Sequence, residues 1–235
     1  MTAAPRASGA AHGRNLGSLL LRSAYRLRVT GAHLVPRRGP LLLVANHTSD
    51  LDAAVLFAAG PRPVHLMTRA DGFVPPLDRL LRSTGQIAVR CGEPDREALR
   101  SAAAVLADGR AVGLFPEGSP GPGDVARIRH GVAYLQARTG AAVVPVAILG
   151  TRAAGQSAVA WPPARTLIDV VFGTPLDLVP VPDPCRRADL ARLGERVRQG
   201  LADHVRLASA RTGQDIPGDE PARPDVRGLA AREAS

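Results

Sequence analysis

Aromatic residues are scarce in this chain of 235 residues, at 3% of the sequence. The apolar fraction is nonetheless 45%, so the core has to be built from Leu, Val, Ala and Ile. A chain of this length is long enough to bury the core of one sizeable domain. The shortage of aromatic side chains argues against a nucleic-acid partner, because single-strand binders stack bases on aromatic rings.

Lysine is absent, and all 30 basic residues are arginine. The net charge of +9 at pH 7 still favours contact with a polyanion, such as an anionic lipid surface. No apolar run approaches the ~20 residues that a membrane-spanning helix needs. The N-terminal sequence also lacks the apolar region of a signal peptide. We therefore expect neither a transmembrane span nor a signal peptide.

Cysteine is scarce as well, with two residues in the whole chain. Cys91 and Cys185 are too far apart for the spacing of a metal site or a disulfide scaffold. We therefore expect a reducing compartment, no bound metal and no cofactor.

Short apolar runs alternate with helical patterns of about ten residues, which predicts one layered α/β domain with a mainly parallel sheet flanked by helices. We expect a disordered N-terminus over residues 1–13 and a folded domain over 14–210. That domain ends in a basic helix at 187–210. Pro, Asp, Arg and Glu without periodicity then predict a disordered tail over 211–235.

Three local features predict details of this domain. Pro145, in the apolar run 142–149, cannot donate a ladder hydrogen bond, which predicts an edge strand or a bulge. The pattern over 126–138 predicts a helix that ends before Gly140. A leucine stripe over 15–27 with arginines nearby fits either a helix packed on the domain or a short helix at lipid headgroups.

One junction between a strand and a helix concentrates polar residues. The apolar run 41–45 is followed by a polar turn and a helical pattern, in the sequence Asn46-His47-Thr48-Ser49-Asp50-Leu51-Asp52. Such junctions lie at the carboxyl end of the sheet, where α/β proteins build their sites. A carboxylate from Asp52 in the first helical turn can fix the tautomer of His47 and leave its other ring nitrogen free to accept a proton. A capping or surface arrangement is the alternative.

A second junction has the same form. An apolar run ends in Phe115-Pro116-Glu117-Gly118. Taken alone, a Glu at the end of a strand is often only solvated.

The order of these motifs resembles that of the glycerolipid acyltransferase family, which includes the 1-acylglycerol-3-phosphate acyltransferases. Residues 46–52 resemble its His-x4-Asp motif, 115–118 its Phe-Pro-Glu-Gly block and 144–146 its Val-Pro-Val block, and the resemblance extends over about residues 27–175. It implies a glycerol-3-phosphate acyltransferase-like α/β domain. It also implies transfer of a fatty acyl group from acyl-CoA or acyl carrier protein to a lysophospholipid hydroxyl, with 1-acylglycerol-3-phosphate as the first candidate acceptor. Such a protein would act in phospholipid biosynthesis, bound peripherally at the cytoplasmic face of a membrane.

The resemblance also implies roles for individual residues. His47 is the expected base, and Asp52 its orienting partner. Four residues are expected to contact the acceptor: Glu117, Gly118, Arg90 and Arg129. Four others are expected to support the motifs: Asn46, Ser49, Phe115 and Pro116.

Two departures bear on the acceptor. Pro120 stands where relatives with a glycerol-phosphate acceptor carry an Arg, and Arg90 lies one position before the Arg of the family's second block. Because Arg binds phosphate through a planar fork, these changes weaken selection for a phosphate acceptor. The alternatives are an acyltransferase of the same fold with a glycolipid or aminolipid acceptor, and a catalytically silent lipid-binding domain.

Overall fold

A computed structural model describes residues 17–70, 77–90, 95–179 and 186–218. The predicted disordered N-terminus, both cysteines and residues 219–235 of the predicted tail lie outside these ranges.

Strands and helices alternate along most of the described chain. The strands are β1 (Arg26–Thr30), β2 (Leu41–Ala45), β3 (Val64–Arg69), β4 (Ile87–Val89), β5 (Ala111–Leu114), β6 (Ala142–Leu149) and β7 (Leu167–Phe172). The helices are α1 (17–24), α2 (Leu51–Ala59), α3 (Leu77–Ser83), α4 (Arg96–Ala107), α5 (Gly131–Thr139) and α6 (Arg187–Thr212). None of these helices combines the length and the apolar character needed to cross a membrane.

The strands form one sheet of seven in the order β1-β7-β6-β2-β5-β3-β4. All neighbouring strands are parallel except β6 and β7, so β1 and β7 run opposite to the other five. The predicted α/β domain with a mainly parallel sheet is therefore confirmed.

Strand β2 lies at the centre of the sheet, and all five of its residues are buried. Side chains alternate between the two faces of a strand. Leu42 and Val44 accordingly join the core beneath α4, α5 and α6, whereas Leu41 and Leu43 join the core beneath α1 and α2. Burial on both faces explains why this strand reads as an unbroken apolar run.

Two local predictions were wrong. Pro145 lies in an interior strand, not at an edge or bulge, because β6 pairs with both β2 and β7. The pairing with β7 ends at Val146 and Phe172, and the Pro145 carbonyl accepts from Gly173 N–H beyond it. Helix α5 begins at Gly131 and not at residue 126.

The chain beyond α6 packs on the domain, so the predicted start of the disordered tail at residue 211 was wrong. Gln214 Nε2 donates to the Leu167 carbonyl at 2.9 Å and to Asp169 Oδ2 at 3.1 Å. Ile216 packs against the core, and Gly218 N–H donates to the Pro122 carbonyl. The sequence over 213–218 has no periodicity because it packs as an irregular segment.

Candidate active site

Three neighbouring strands end in polar residues at one edge of the sheet. His47 follows β2, Glu117 follows β5 and Thr151 follows β6, and the sheet order places β2 between the other two strands. Parallel strands end at the same edge, which is where α/β folds place their sites.

The predicted pairing of His47 with Asp52 is present in the structure. His47 Nδ1 lies 3.1 Å from Oδ2 of Asp52, which sits in the first turn of α2. The same oxygen accepts the backbone N–H groups of Thr48 at 2.6 Å and Ser49 at 2.8 Å. These hydrogen bonds from the turn fix the orientation of the carboxylate that contacts the imidazole. Asp52 is fully buried, whereas the His47 side chain is 11% exposed.

The arrangement determines which ring nitrogen of His47 carries a proton. A carboxylate only accepts hydrogen bonds, so Nδ1 donates and Nε2 keeps its lone pair. Within the described residues, no group is bonded to Nε2. Phe115 stacks on the imidazole with ring centroids 4.2 Å apart and an interplanar angle of 25°. Phe115 thus contacts the His47 ring and restricts the plane of the imidazole.

Thr151 is a site residue that the sequence analysis missed. Its hydroxyl donates to Asp52 Oδ1 at 2.5 Å and lies 3.1 Å from the hydroxyl of Thr48. Thr151 is fully buried and comes directly after Gly150, which takes a positive φ of 86°. The signal was available, because a polar residue follows the predicted strand at 142–149.

Glu117 contacts the backbone of the first motif. Its Oε1 accepts the N–H of His47 at 2.8 Å, so it positions the main chain of His47. The pKa of Glu117 is raised to about 7 from a usual 4.5, mainly by burial and to a smaller extent by the charges of Asp124 and Asp52. The hydrogen bond from His47 N–H opposes this shift of the pKa.

Two of the other predicted acceptor contacts lie together. A Cβ atom placed on Gly118 would come within 2.3 Å of Arg129 Nε, so the arginine lies against the glycine. Gly118 also has a positive φ of 85°, which favours glycine. The Arg129 N–H donates to the Pro116 carbonyl at 2.7 Å, which joins this arginine to the second motif.

Arg90 lies apart from this group. It follows β4 at the far end of the sheet, and its side chain is 73% exposed. Its guanidinium lies 3.4 Å from Asp95 and 3.5 Å from Glu97. The structure thus places Arg90 beside acidic residues at the start of α4. Its predicted contact with the acceptor stays a prediction.

Asn46 and Ser49 both bond to the backbone around the first motif. The Asn46 amide donates to the Ile148 carbonyl at 3.1 Å and accepts from Ile148 N–H at 2.8 Å. This side chain continues the bonding between β2 and β6 past the end of the ladder. Ser49 Oγ accepts the N–H of Leu51, the first residue of α2, at 3.2 Å.

The loop that carries Pro120 is fixed from both sides. Gly121 N–H donates to the His47 carbonyl at 2.8 Å, and Arg152 Nη2 donates to the Gly121 carbonyl at 2.9 Å. Arg152 also donates to the Gly218 carbonyl at 3.2 Å, so the C-terminal segment braces the same loop. No sequence motif indicated either Arg152 or this segment.

Comparison with known proteins identifies the family of this chain. The family described as Acyltransferase matches residues 26–149, just over half of the chain. A 1-acyl-sn-glycerol-3-phosphate acyltransferase from Borreliella burgdorferi is 26% identical over 138 residues, which are 55% of this chain and 53% of that protein. A lyso-ornithine lipid O-acyltransferase from Pseudomonas aeruginosa is 35% identical over 127 residues, which are 53% of this chain and 47% of that protein. The chain thus spans about half the length of these relatives.

A solved structure shares the fold. The crystal structure of a 1-acyl-sn-glycerophosphate acyltransferase from Thermotoga maritima covers 87% of this chain, which covers 79% of that structure, with a TM-score of 0.62 and 20% identity. The match confirms the fold, and the match of residues 26–149 to the family includes both predicted motifs. The chain therefore belongs to the acyltransferase family.

Proposed function

We propose that this protein transfers a fatty acyl group from a thioester, either acyl-CoA or acyl carrier protein, to the hydroxyl of a lysophospholipid. The observation that carries the proposal is the pairing of His47 Nδ1 with Asp52, 3.1 Å apart, which leaves Nε2 to act as a base. The relatives act in the same class of chemistry by their names.

The reaction requires one proton to move twice. His47 Nε2 takes the proton of the acceptor hydroxyl as its oxygen attacks the thioester carbonyl carbon, and Asp52 stabilises the imidazolium. The C–S bond then breaks, and the thiolate leaves with the proton from His47. The products are an ester and a free thiol. Glu117 and Phe115 hold the base in place through its backbone and its ring.

The first candidate acceptor is 1-acylglycerol-3-phosphate. A relative carries this substrate in its name, and Arg129 beside Gly118 offers a guanidinium for an anionic headgroup. Glu117 bonds to His47 N–H and Gly118 follows it with Arg129 alongside, which supports a role for these three residues in binding the acceptor.

The second candidate acceptor is an aminolipid. Pro120 removes one expected phosphate contact, and the guanidinium of Arg90 lies close to Asp95 and Glu97. A relative named for a lyso-ornithine lipid acceptor also matches 53% of this chain. An acceptor without a phosphomonoester demands fewer guanidinium contacts.

Release of free thiol from palmitoyl-CoA by the full chain tests the proposal. The reaction is run with lysophosphatidic acid, with a lyso-ornithine lipid, with a neutral lysolipid and with no acceptor. Release that depends on lysophosphatidic acid supports the first candidate, and release that depends on the aminolipid supports the second. The same panel is repeated with palmitoyl carrier protein as donor. Absence of acceptor-dependent release with both donors would contradict the proposed activity and favour a silent lipid-binding domain.

A further inference from the structure

The single tryptophan of the chain is exposed. Trp161 is one of only seven aromatic residues, the others being four Phe and two Tyr, and it is 70% exposed. Val159, two positions before it, is 60% exposed. Exposed apolar side chains that lie together mark interaction sites. Tryptophan in particular is enriched where an apolar phase meets water, as at a membrane surface.

The segment that carries Trp161 is joined to the candidate active site at one end. The Asp50 N–H donates to the Ala158 carbonyl at 3.1 Å, so this segment crosses the start of α2. Asp50 lies two residues before Asp52. Trp161 is therefore presented by a segment anchored to the turn that holds His47.

The other end of the segment is joined to α1. Tyr25 Oη donates to the Pro162 carbonyl at 3.4 Å, and Arg165 N–H donates to the Ala24 carbonyl at 2.6 Å. Because β1 runs opposite to β2, the beginning of β1 and the end of α1 lie at the edge of the sheet where His47 lies. On α1, Leu19 is 66% exposed and Leu20 is 60% exposed.

The sequence stretches that include α1 and the Trp161 segment carry charged residues of positive sign only. Residues 1–49 and 151–168 contain no Asp or Glu, although the whole chain has 21. Arg22, Arg26 and Arg165 are exposed, and they lie close in sequence to the exposed apolar residues of the same two stretches. Asp50, whose N–H bonds to Ala158, is an exposed acid beside this segment, and the arginines outnumber it. A surface with an excess of arginines around apolar groups complements an anionic lipid surface, to which each Arg adds attraction.

We propose that a surface formed by Leu19, Leu20, Arg22, Val159, Trp161 and Arg165, here called the Trp161 face, docks the protein on a bilayer that contains anionic lipids. Trp161 and Val159 enter the headgroup region, and the arginines contact lipid phosphates. The role of this docking in presenting the acceptor to His47 rests on the proposed function. The docking itself does not depend on turnover.

Trp161 provides its own reporter, because no other tryptophan contributes to the emission. The full chain is titrated with vesicles of phosphatidylcholine and with vesicles of phosphatidylcholine mixed with phosphatidylglycerol. We expect the emission of Trp161 to shift to shorter wavelength with the anionic vesicles, and the binding to weaken as salt rises. An unchanged emission with anionic vesicles would overturn the proposal, as would an equal response to neutral vesicles. A shift that follows protein concentration without vesicles would assign the face to self-association and also overturn it.

Variants measured by vesicle co-sedimentation test the residues. Trp161→Ser should lower the partition coefficient on the order of tenfold, and Arg165→Gln about fivefold. The matched controls are Leu207→Ser and Arg37→Gln. Leu207 is 56% exposed on α6, which packs on the other face of the sheet, and Arg37 precedes β2 at the opposite edge. Controls with wild-type binding support the proposal, and equal losses in variants and controls would overturn it.

Turnover separates the docking from the proposed activity. Trp161→Ser should keep wild-type turnover with a short-chain, water-soluble lysolipid and lose turnover with the same class of acceptor embedded in anionic vesicles. Wild-type protein that binds vesicles without any turnover supports the docking and contradicts the proposed function alone. A Trp161→Ser variant with full turnover on embedded acceptor would overturn the role of docking in presenting the lipid.

Discussion

The hydroxyl of Thr151 donates a hydrogen bond of 2.5 Å to Oδ1 of Asp52, on the carboxylate oxygen that does not contact His47. Thr151, which follows β6, thus orients the carboxylate that contacts His47 after β2. Because Oδ2 is fixed by Thr48 and Ser49, both carboxylate oxygens are held by the protein in a fully buried position. An oriented carboxylate is what keeps the imidazole in one tautomer.

Replacing Thr151 by Val is expected to lower kcat by about tenfold to a hundredfold, because a hydrogen bond to a charged group is lost. The KM for the acceptor should change little, since Thr151 reaches the reaction through Asp52. The measurement is steady-state kinetics at saturating thioester, with Thr151→Ser as the control. Loss of activity in the Ser variant equal to that in the Val variant would contradict a role for the hydroxyl.

Glu117 is expected to make stability depend on pH. Its folded-state pKa of about 7 lies above the usual 4.5, so its stabilising effect is complete below pH 4.5 and is lost as pH rises through 7. Glu117→Gln has no carboxyl proton to lose. Relative to this variant, the free energy of unfolding of the wild type should fall by up to about 3 kcal/mol as pH rises from 4.5 through 7. Urea unfolding of both proteins at a series of pH values measures the difference. A constant difference between the two proteins would contradict the raised pKa.

Asn46→Asp is expected to destabilise the fold by about 3 kcal/mol at neutral pH, because a buried carboxylate would face the Ile148 carbonyl. Lowering the pH should reduce the difference from the wild type, since a protonated Asp regains a donor. Urea unfolding at neutral and acidic pH tests both statements. An Asn46→Asp variant as stable as the wild type at neutral pH would show that the hydrogen bonds between the Asn46 side chain and β6 contribute little to stability.

Removal of residues 214–235 is expected to cost about 2 kcal/mol of stability, because the packing of Ile216 and the bonds of Gln214 are lost. It should also raise the KM for the acceptor, since Arg152 loses the Gly218 carbonyl beside the Pro120 loop. The control is removal of 219–235, which keeps all of these contacts. Equal effects of the two truncations on stability and on KM would show that these effects come from residues after Gly218 and not from the contacts of 214–218.

The general fold followed from local patterns in the sequence. The apolar run 41–45 and its polar turn predicted β2 and the start of α2, because the ends of a buried strand and the first turn of a helix are coded by neighbouring residues. The same proximity predicted the contact of His47 with Asp52, five positions apart. The family resemblance added Glu117, whose contact with His47 N–H spans 70 positions and has no local signal.

The remaining parts of the site depend on strand order. Thr151 meets Asp52 only because β6 lies beside β2, and a sequence pattern does not contain that order. The prediction for Pro145 was wrong for a similar reason. Pro145 lies one position beyond the end of the β6–β7 pairing, so an interior strand accommodates it without losing a hydrogen bond to β7. The packing of 213–218 is irregular and has no period to detect.

The central claim is that His47 is the base that activates the acceptor hydroxyl. The most direct test compares thiol release from palmitoyl-CoA by the wild type and by His47→Ala, with the acceptor that the panel identifies and with thermal unfolding as a check that both are folded. The account predicts that a folded His47→Ala variant loses turnover by about 10² to 10⁴-fold. A folded variant that releases thiol at the wild-type rate would contradict it.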